Sequence, residues 1–292
     1  MSTATELLIA VGLDPNVIAH HVELALAEDL PGGVDVTSVA TIPESHTATI
    51  DFVARQPGVI AGIPVALLVF ELVGGSRISA QVHLADGSRV TPGDCVLTVS
   101  GLTRDLLRAE RPALNYLGHL SGIATATAKW ADALAGTNAR VRDTRKTTPT
   151  MRALEKYAVR CGGGVNHRMS LSDAALIKDN HIAAAGGVAE SFAAVREAFP
   201  ELELEVEVDS MEQLHEMLEL HADLIMLDNF SVEQLREAVT DTAGRARLEA
   251  SGGLTLENAQ EVAQTGVDFI AVGALTHSSP VLDIGADYRE ES

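Results

Sequence analysis

The sequence predicts an α/β protein: an incomplete (β/α) barrel preceded by a smaller region that mixes helices and strands. Two observations point there. The chain has 292 residues, 46% of them apolar, enough for one large core or two ordinary ones. From Arg140 onward, short apolar strands alternate with amphipathic helices, the rhythm of βα units on a parallel sheet. Six such strands can be read, fewer than a full eight-fold ring needs. A doubly wound open sheet is the alternative architecture.

The first region is read in order. Residues 16–28 space Val17, Val22, Leu24 and Leu26 as a helix does, with Asp14 ahead of Pro15 as its cap. The segment 28–38, EDLPGGVDVTS, is rich in turn residues. Residues 47–54 alternate as a strand, with Ile50 and either Phe52 or Val53 inward. Residues 66–73 are an apolar helix stopped by Gly74-Gly75. Segments 78–84 and 95–99 are strands joined through ADGSRVTPGD. That pattern also suits a lipoyl-carrier barrel, but no lysine stands at a hairpin tip to carry the cofactor, so the reading is structural. Helices follow at 103–120 and 125–134, with Gly122 between them.

The barrel strands are ARVRD (139–143), AALIK (174–178), LELEVEV (202–208), DLIML (223–227), ARLEA (246–250) and DFIAV (268–272). In the third, Glu203, Glu205 and Glu207 share one face and the aliphatic residues share the other. Helices cover the outside of a barrel, so the glutamates are expected to face inward, where carboxylates need cations or a metal.

Composition narrows the function. With 41 Asp+Glu against 21 Lys+Arg, a net charge of −20 and only 3% aromatic residues, the chain has neither the basic face nor the stacking surface of a nucleic-acid binder. An anionic membrane surface is disfavoured on the same grounds. MSTATELLIA lacks the basic flank of a signal peptide, and IPVALLVF (63–70) is too short to cross a bilayer. Cys95 and Cys161 have no metal-ligand spacing and read as reduced thiols of a cytoplasmic protein. Against this acidic background, Arg140, Arg142, Arg145, Lys146 and Arg152 crowd into one stretch with a single anion, Asp143.

Barrel chemistry sits beyond the carboxyl ends of the strands. Those positions here hold Arg145 and Lys146; Lys178, Asp179 and His181; Glu207 and Asp209; Asp228 and Asn229; Ser251, Gly252 and Gly253; and Gly273 and Ala274. Arg145, Lys146, His167, Arg168 and Lys178 suit carboxylates or phosphates. Glu207 and Asp228 suit sugar hydroxyls or Mg²⁺. The glycine turns can offer backbone N–H groups to a phosphate. Together these features fit a phosphosugar donor and an acidic acceptor better than a simple aldolase.

At this point DTRKTTP (143–149), NHR (166–168), IKDNH (177–181), LDNF (227–230), EASGG (249–253) and VGALTHS (272–278) resemble quinolinate phosphoribosyltransferase. So do EDL…GGVDVTS (28–38) and AERPALNYLGHLSGIAT (109–125), which extends the likeness over nearly the whole chain. The resemblance implies an open-faced α/β sandwich over 1–114, an incomplete barrel over 115–276 and a tail, 277–292, packing back on the sandwich. It implies that quinolinate and phosphoribosyl pyrophosphate, with Mg²⁺, give nicotinate mononucleotide, CO₂ and pyrophosphate on a cytoplasmic homodimer. By position, Arg145, His167, Arg168 and Lys178 surround the quinolinate carboxylates, with Lys146 nearby and reaching phosphate. Glu207 and Asp228 face ribose and metal, directly or through water. Ser251, Gly252, Gly253, Gly273 and Ala274 bind the 5′-phosphate, and Arg111 enters from the partner subunit. One position departs from the family: Thr150 stands where glycine is usual, which restricts φ and bears on the loop's path.

Other chemistries stay open at this stage. A related phosphoribosyltransferase could take another acidic base, although one carboxylate would not need so many cations. Lys178 could form a Schiff base with a carbonyl substrate. A non-catalytic phosphometabolite sensor would explain the anion pocket but not Glu207 and Asp228.

Overall fold

The computed structural model describes residues 3–290 and divides into two compact units. The first contains the chain up to Ala126, Ala153–Gly163 and the chain from Ser279; the second contains Thr127–Arg152 and Gly164–Ser278. Segment Ala153–Gly163 thus belongs to the first unit, although the boundaries expected from sequence put it within the barrel.

The chain begins with α1 (Thr3–Ala10), α2 (Pro15–Asp29) and α3 (Val36–Thr41). Next come β1 (Thr47–Ala54), β2 (Gly58–Val59), α4 (Ile63–Gly74), β3 (Ser79–Val82), β4 (Arg89–Val90), β5 (Cys95–Leu102) and the long α5 (Thr103–Ala133). Asp14 caps α2 as expected, its Oδ1 accepting the Asn16 N–H at 2.9 Å. The buried residues of α2 are Ile18 and Val22, however, while Val17 and Leu24 are exposed. Short α3 begins within the segment read as turn-rich, where Asp35 accepts the Ser38 N–H and supplies the cap.

Strand β12 (Ile284–Glu290) pairs antiparallel with β1, giving a four-stranded sheet in the order β12-β1-β5-β3. Ile50, Phe52 and Val53 are all buried on β1. Phe52 meets Phe70 of α4 edge-to-face, with ring centroids 5.7 Å apart. From Ile63 to Phe70 every residue of α4 is buried, so no polar stripe is needed on that stretch. Asp86 ties the loop between β3 and β4 to the start of α4. It accepts the Gly62 and Ile63 N–H groups at 2.9 and 3.0 Å and the Tyr157 hydroxyl. Burial raises its pKa against these bonds.

Gly122 does not interrupt α5. A Cβ at Gly122 would lie 2.1 Å from the Pro280 carbonyl oxygen, and one at Gly118 would lie 2.8 Å from Val281. The two glycines let the helix approach segment 280–282 closely, and the helix runs unbroken past both, with Pro112 inside it.

The second unit contains β6 (Arg140–Arg142) and then, after α6 (Arg152–Cys161), which falls mainly in the first unit, β7 (Ala175–Ile177), α7 (Asp179–Ala185) and α8 (Val188–Ala198). It continues with β8 (Leu204–Val208), α9 (Met211–Glu219), β9 (Leu224–Asp228), α10 (Val232–Thr242), β10 (Arg247–Ser251), α11 (Ala259–Ala263), β11 (Phe269–Ala271) and α12 (Ala274–His277). All six expected strands are present, joined in parallel in the order β6-β11-β10-β9-β8-β7. Strands β7 to β11 follow in sequence and β6 joins β11, the order of a barrel stopped short of closure. On the open side, β6 has only a single bridge, Arg142 to Val165, ahead of β7.

Candidate active site

A cavity of about 270 Å³ opens at the C-terminal end of this sheet. Arg145, Lys146, Arg168 and Lys178 bring four cationic side chains to its wall, with His167, Thr144 and Ser251. Leu176, Met226 and Ala271 supply apolar surface. Anionic ligands with an apolar body suit this combination of apolar surface and positive charge.

The cations are held from behind. Asp143 is fully buried and accepts the His167 backbone N–H at 2.8 Å and the Asn166 amide at 2.5 Å. This one anion therefore binds the loop after β6 to the loop carrying His167 and Arg168. Arg168 donates to the Ala174 carbonyl at 3.2 Å. Burial, and then the charge of Arg145, depress its pKa below the usual arginine value, so the crowding of positive charge is felt at the site. The Arg145 Nε is buried without a hydrogen-bond partner among the described residues. Thr276 Oγ1 donates to the Lys146 carbonyl at 2.8 Å. Gly273 lies close beside Lys146: a Cβ there would stand 2.9 Å from Lys146 Cδ, so the lysine side chain would have to shift. Ala274 begins α12 directly after it.

The carboxylates sit on neighbouring strands. Lys178 Nζ donates to Glu207 Oε2 at 2.7 Å. Asp228 ends β9, and its Oδ2 accepts the Asn229 amide at 2.6 Å. Ser251 is paired in register with Asp228 and precedes Gly252 and Gly253, whose φ values of +90° and +62° lie in the left-handed region. Arg111 lies on α5 in the first unit with its side chain 64% exposed.

Three corrections to the sequence reading concern charge. Arg142 does not belong to the anion-facing group; its guanidinium is buried 2.9 Å from Glu249 and 3.6 Å from Glu205. Arg140 is exposed, and Arg152 donates to Thr147 and the Met169 carbonyl, so only Arg145 and Lys146 of the five crowded cations line the cavity. Of the three glutamates expected to face inward, Glu205 is buried and Glu207 half-buried, but Glu203 precedes β8 and pairs with Arg247 at 2.9 Å in solvent.

The sequence placed Glu205 inside the barrel but did not show its partners, which form a buried cluster with it. Glu205, Glu249, Arg142 and His167 occupy it, with His167 Nε2 2.8 Å from Glu205 Oε2. The His167 Nδ1 accepts the Arg168 backbone N–H at 2.7 Å, which leaves Nε2 as the nitrogen facing the Glu205 carboxylate. Burial pushes both glutamates up to about 7, offset in part by Arg142. Burial alone would lower the Arg142 pKa, but Glu249 and Glu205 outweigh it and keep the guanidinium charged. His167, Glu205 and Glu249 could each direct one ligand atom to a metal, those atoms lying within 4.8 Å of one another. Arg142 already supplies the positive charge there, so the arrangement is a buried ion-pair cluster.

Thr150 keeps the conformation that glycine favours, with φ of +69°. A β-branched residue thus holds a left-handed conformation here, at a steric cost.

Comparison with known proteins gives a consistent result. Residues 35–121 match the N-terminal domain of quinolinate phosphoribosyl transferase, and residues 123–287 match its C-terminal domain. A carboxylating nicotinate-nucleotide pyrophosphorylase of Mycobacterium leprae (strain TN) is 55% identical over 90% of this chain and 94% of its own. The structure of NadC from Streptococcus pyogenes superposes with a TM-score of 0.92 at 41% identity, covering 96% of this chain and 99% of that one. The nicotinate-nucleotide pyrophosphorylase of Francisella tularensis superposes with a TM-score of 0.91 at 35% identity, again over 96% and 99% of the two chains. On both domains and on near-complete coverage by these relatives, the chain belongs to the quinolinate phosphoribosyl transferase family.

Proposed function

We propose that this protein transfers the phosphoribosyl group of phosphoribosyl pyrophosphate to quinolinate and decarboxylates the product, yielding nicotinate mononucleotide, pyrophosphate and CO₂ for NAD biosynthesis. The observation that carries the reading is the convergence of Arg145, Lys146, Arg168 and Lys178 on one cavity in an otherwise acidic chain. A planar acceptor with two carboxylates matches that charge, and His167 completes the wall around them.

The chemistry needs no protein nucleophile. The ring nitrogen of quinolinate forms a bond to ribose C1 while the C1–oxygen bond breaks and pyrophosphate leaves with its electron pair. The nitrogen is then a pyridinium. It stabilises the electron pair left on the adjacent ring carbon when that carbon loses its carboxylate as CO₂, and a proton from solvent replaces the carboxylate. Lys178 and the arginines hold the acceptor in line, a contribution of orientation and preorganised charge.

Glu207 and Asp228 are assigned to the ribose hydroxyls, whose positions they fix as positive charge develops at C1. Their hard oxygen donors at the ends of adjacent strands also fit Mg²⁺, directly or through water. When bound, Mg²⁺ neutralises charge on the departing pyrophosphate. Ser251, Gly252, Gly253, Gly273 and Ala274 are assigned to the 5′-phosphate. Arg111, exposed on its own subunit, is assigned to the active site of a partner in a homodimer.

Among the described residues, no helix is long and apolar enough to cross a membrane. A cytoplasmic location is proposed together with the function; the unpaired thiols of Cys95 and Cys161 agree with it.

The test is an assay with quinolinate, phosphoribosyl pyrophosphate and Mg²⁺ that reads nucleotide and CO₂ together. Stoichiometric release is expected, with kcat/KM for quinolinate far above that for nicotinate, because a missing carboxylate leaves part of the cavity's crowded positive charge uncompensated. Equal use of the two acids, or nucleotide without CO₂, overturns the reading.

A further inference from the structure

Asn229 has a backbone conformation and a set of contacts that its neighbours do not share. It follows β9 with φ of +58°, a left-handed conformation that asparagine tolerates better than most residues. The turn lets its backbone N–H donate to the Ser251 carbonyl at 2.8 Å, across to the end of β10. Its side chain then folds back on the preceding residue, and Nδ2 donates to Asp228 Oδ2 at 2.6 Å. A carboxylate only accepts, so the amide nitrogen must face Asp228 and the amide oxygen must face the other way. That oxygen occupies the space above Gly252, 2.1 Å from where a Cβ would stand. One residue thus joins the carboxylate at the end of β9 to the glycine turn at the end of β10.

We propose that Asn229 is a positioning residue, fixing Asp228 relative to the Ser251–Gly252–Gly253 turn so that the ribose hydroxyls and 5′-phosphate of phosphoribosyl pyrophosphate are held at one spacing. The proposal rests on the assignment of Asp228 to ribose and of the turn to phosphate made above. The physical requirement is rigidity between two anchor points on one substrate. A carboxylate free to rotate, or a turn free to drift, lowers the fraction of bound donor aligned for attack. Quinolinate does not span these two points, so its binding is independent of Asn229.

The test uses Asn229→Gly, which keeps the left-handed φ and removes the amide, and Asn229→Asp, which keeps the shape and sets a second carboxylate against Asp228. In the full-length protein, both variants should fold with little loss of melting temperature. The KM for phosphoribosyl pyrophosphate should rise about tenfold or more, kcat should fall, and the dissociation constant for quinolinate should stay within about twofold. Asn229→Asp should show the larger defect. A double-mutant cycle with Asp228→Asn separates the proposal from the assignment beneath it. If Asn229 acts through Asp228, the double variant Asp228→Asn/Asn229→Gly should be little worse than Asp228→Asn alone. If Asp228→Asn impairs use of the donor while Asn229→Gly is folded and kinetically wild type, the positioning role is overturned and the site assignment stands. If neither change affects the donor, both are overturned.

Discussion

The guanidinium of Arg142 lies 2.9 Å from the Glu249 carboxylate with both side chains out of solvent, although 107 residues separate them in the chain. Replacing Arg142 with Met leaves Glu249 and Glu205 buried without their main cation. The expected loss is about 3–5 kcal/mol of stability, read as a large drop in the urea midpoint. A variant within 1 kcal/mol of wild type, on that order-of-magnitude scale, would show that the cluster is solvated in solution.

The same cluster predicts a pH dependence. The Glu249 pKa is raised from 4.5 to about 7, chiefly by burial. A carboxylate whose folded pKa is raised stabilises the fold below its unfolded value, and that contribution is lost as pH rises through the folded value. Wild type should therefore lose stability relative to Glu249→Gln between about pH 4.5 and 7, with little further change above that. The amplitude is on the order of a few kcal/mol. Parallel denaturation series on the two proteins check the sign; a difference that grows in favour of wild type over this range would reverse the assignment.

Thr150 is exposed and holds φ at +69°. A glycine there relieves roughly 1–2 kcal/mol of steric cost but adds freedom to the unfolded chain worth about 0.4–1 kcal/mol. Thr150→Gly should thus stabilise the protein by about 0.5–1 kcal/mol, raising the urea midpoint without changing its slope. A lower midpoint would mean that the threonine side chain makes a compensating contact.

Arg111 gives a test by subunit mixing. If each subunit lends this arginine to its partner, Arg111→Ala and Lys178→Ala should each form nearly inactive homodimers. In the mixed dimer both lesions fall in one site and the other site is intact. Random one-to-one reassembly makes about half the dimers mixed, so activity should return to roughly a quarter of wild type. Verified subunit exchange with no recovery would confine Arg111 to its own chain.

Local sequence signals carried the strands and their polar ends. All six barrel strands were legible because each is a short apolar run between longer amphipathic stretches. The positions just beyond them were legible because a barrel directs them to one end. Arg142 was grouped with its cationic neighbours because alternation along one strand does not reveal the other strands' contribution to the same interior. Only the fold brings Glu205 and Glu249 to it. Gly122 was read as a helix break because the close approach of Pro280 lies 158 positions ahead. Helix α3 was hidden by the turn residues before it, although Asp35 was already in place to cap it. Asn229 stood among the polar residues at a strand end, but its function depends on a dihedral angle and on Gly252.

The pairing of β12 with β1 has a consequence for synthesis on the ribosome. Strands β1 and β5 emerge early and can pair at once, but the other edge of β1 has no partner until residues 284–290 have been made. Segment Ala153–Gly163 of the same unit also arrives after the helix α5 has left the exit tunnel. A nascent chain holding β1 without β12 presents a bare strand edge, the kind of surface on which two chains misassemble or a chaperone takes hold. The N-terminal unit is therefore begun first and completed last, and one edge of β1 stays open while the barrel strands are still being translated.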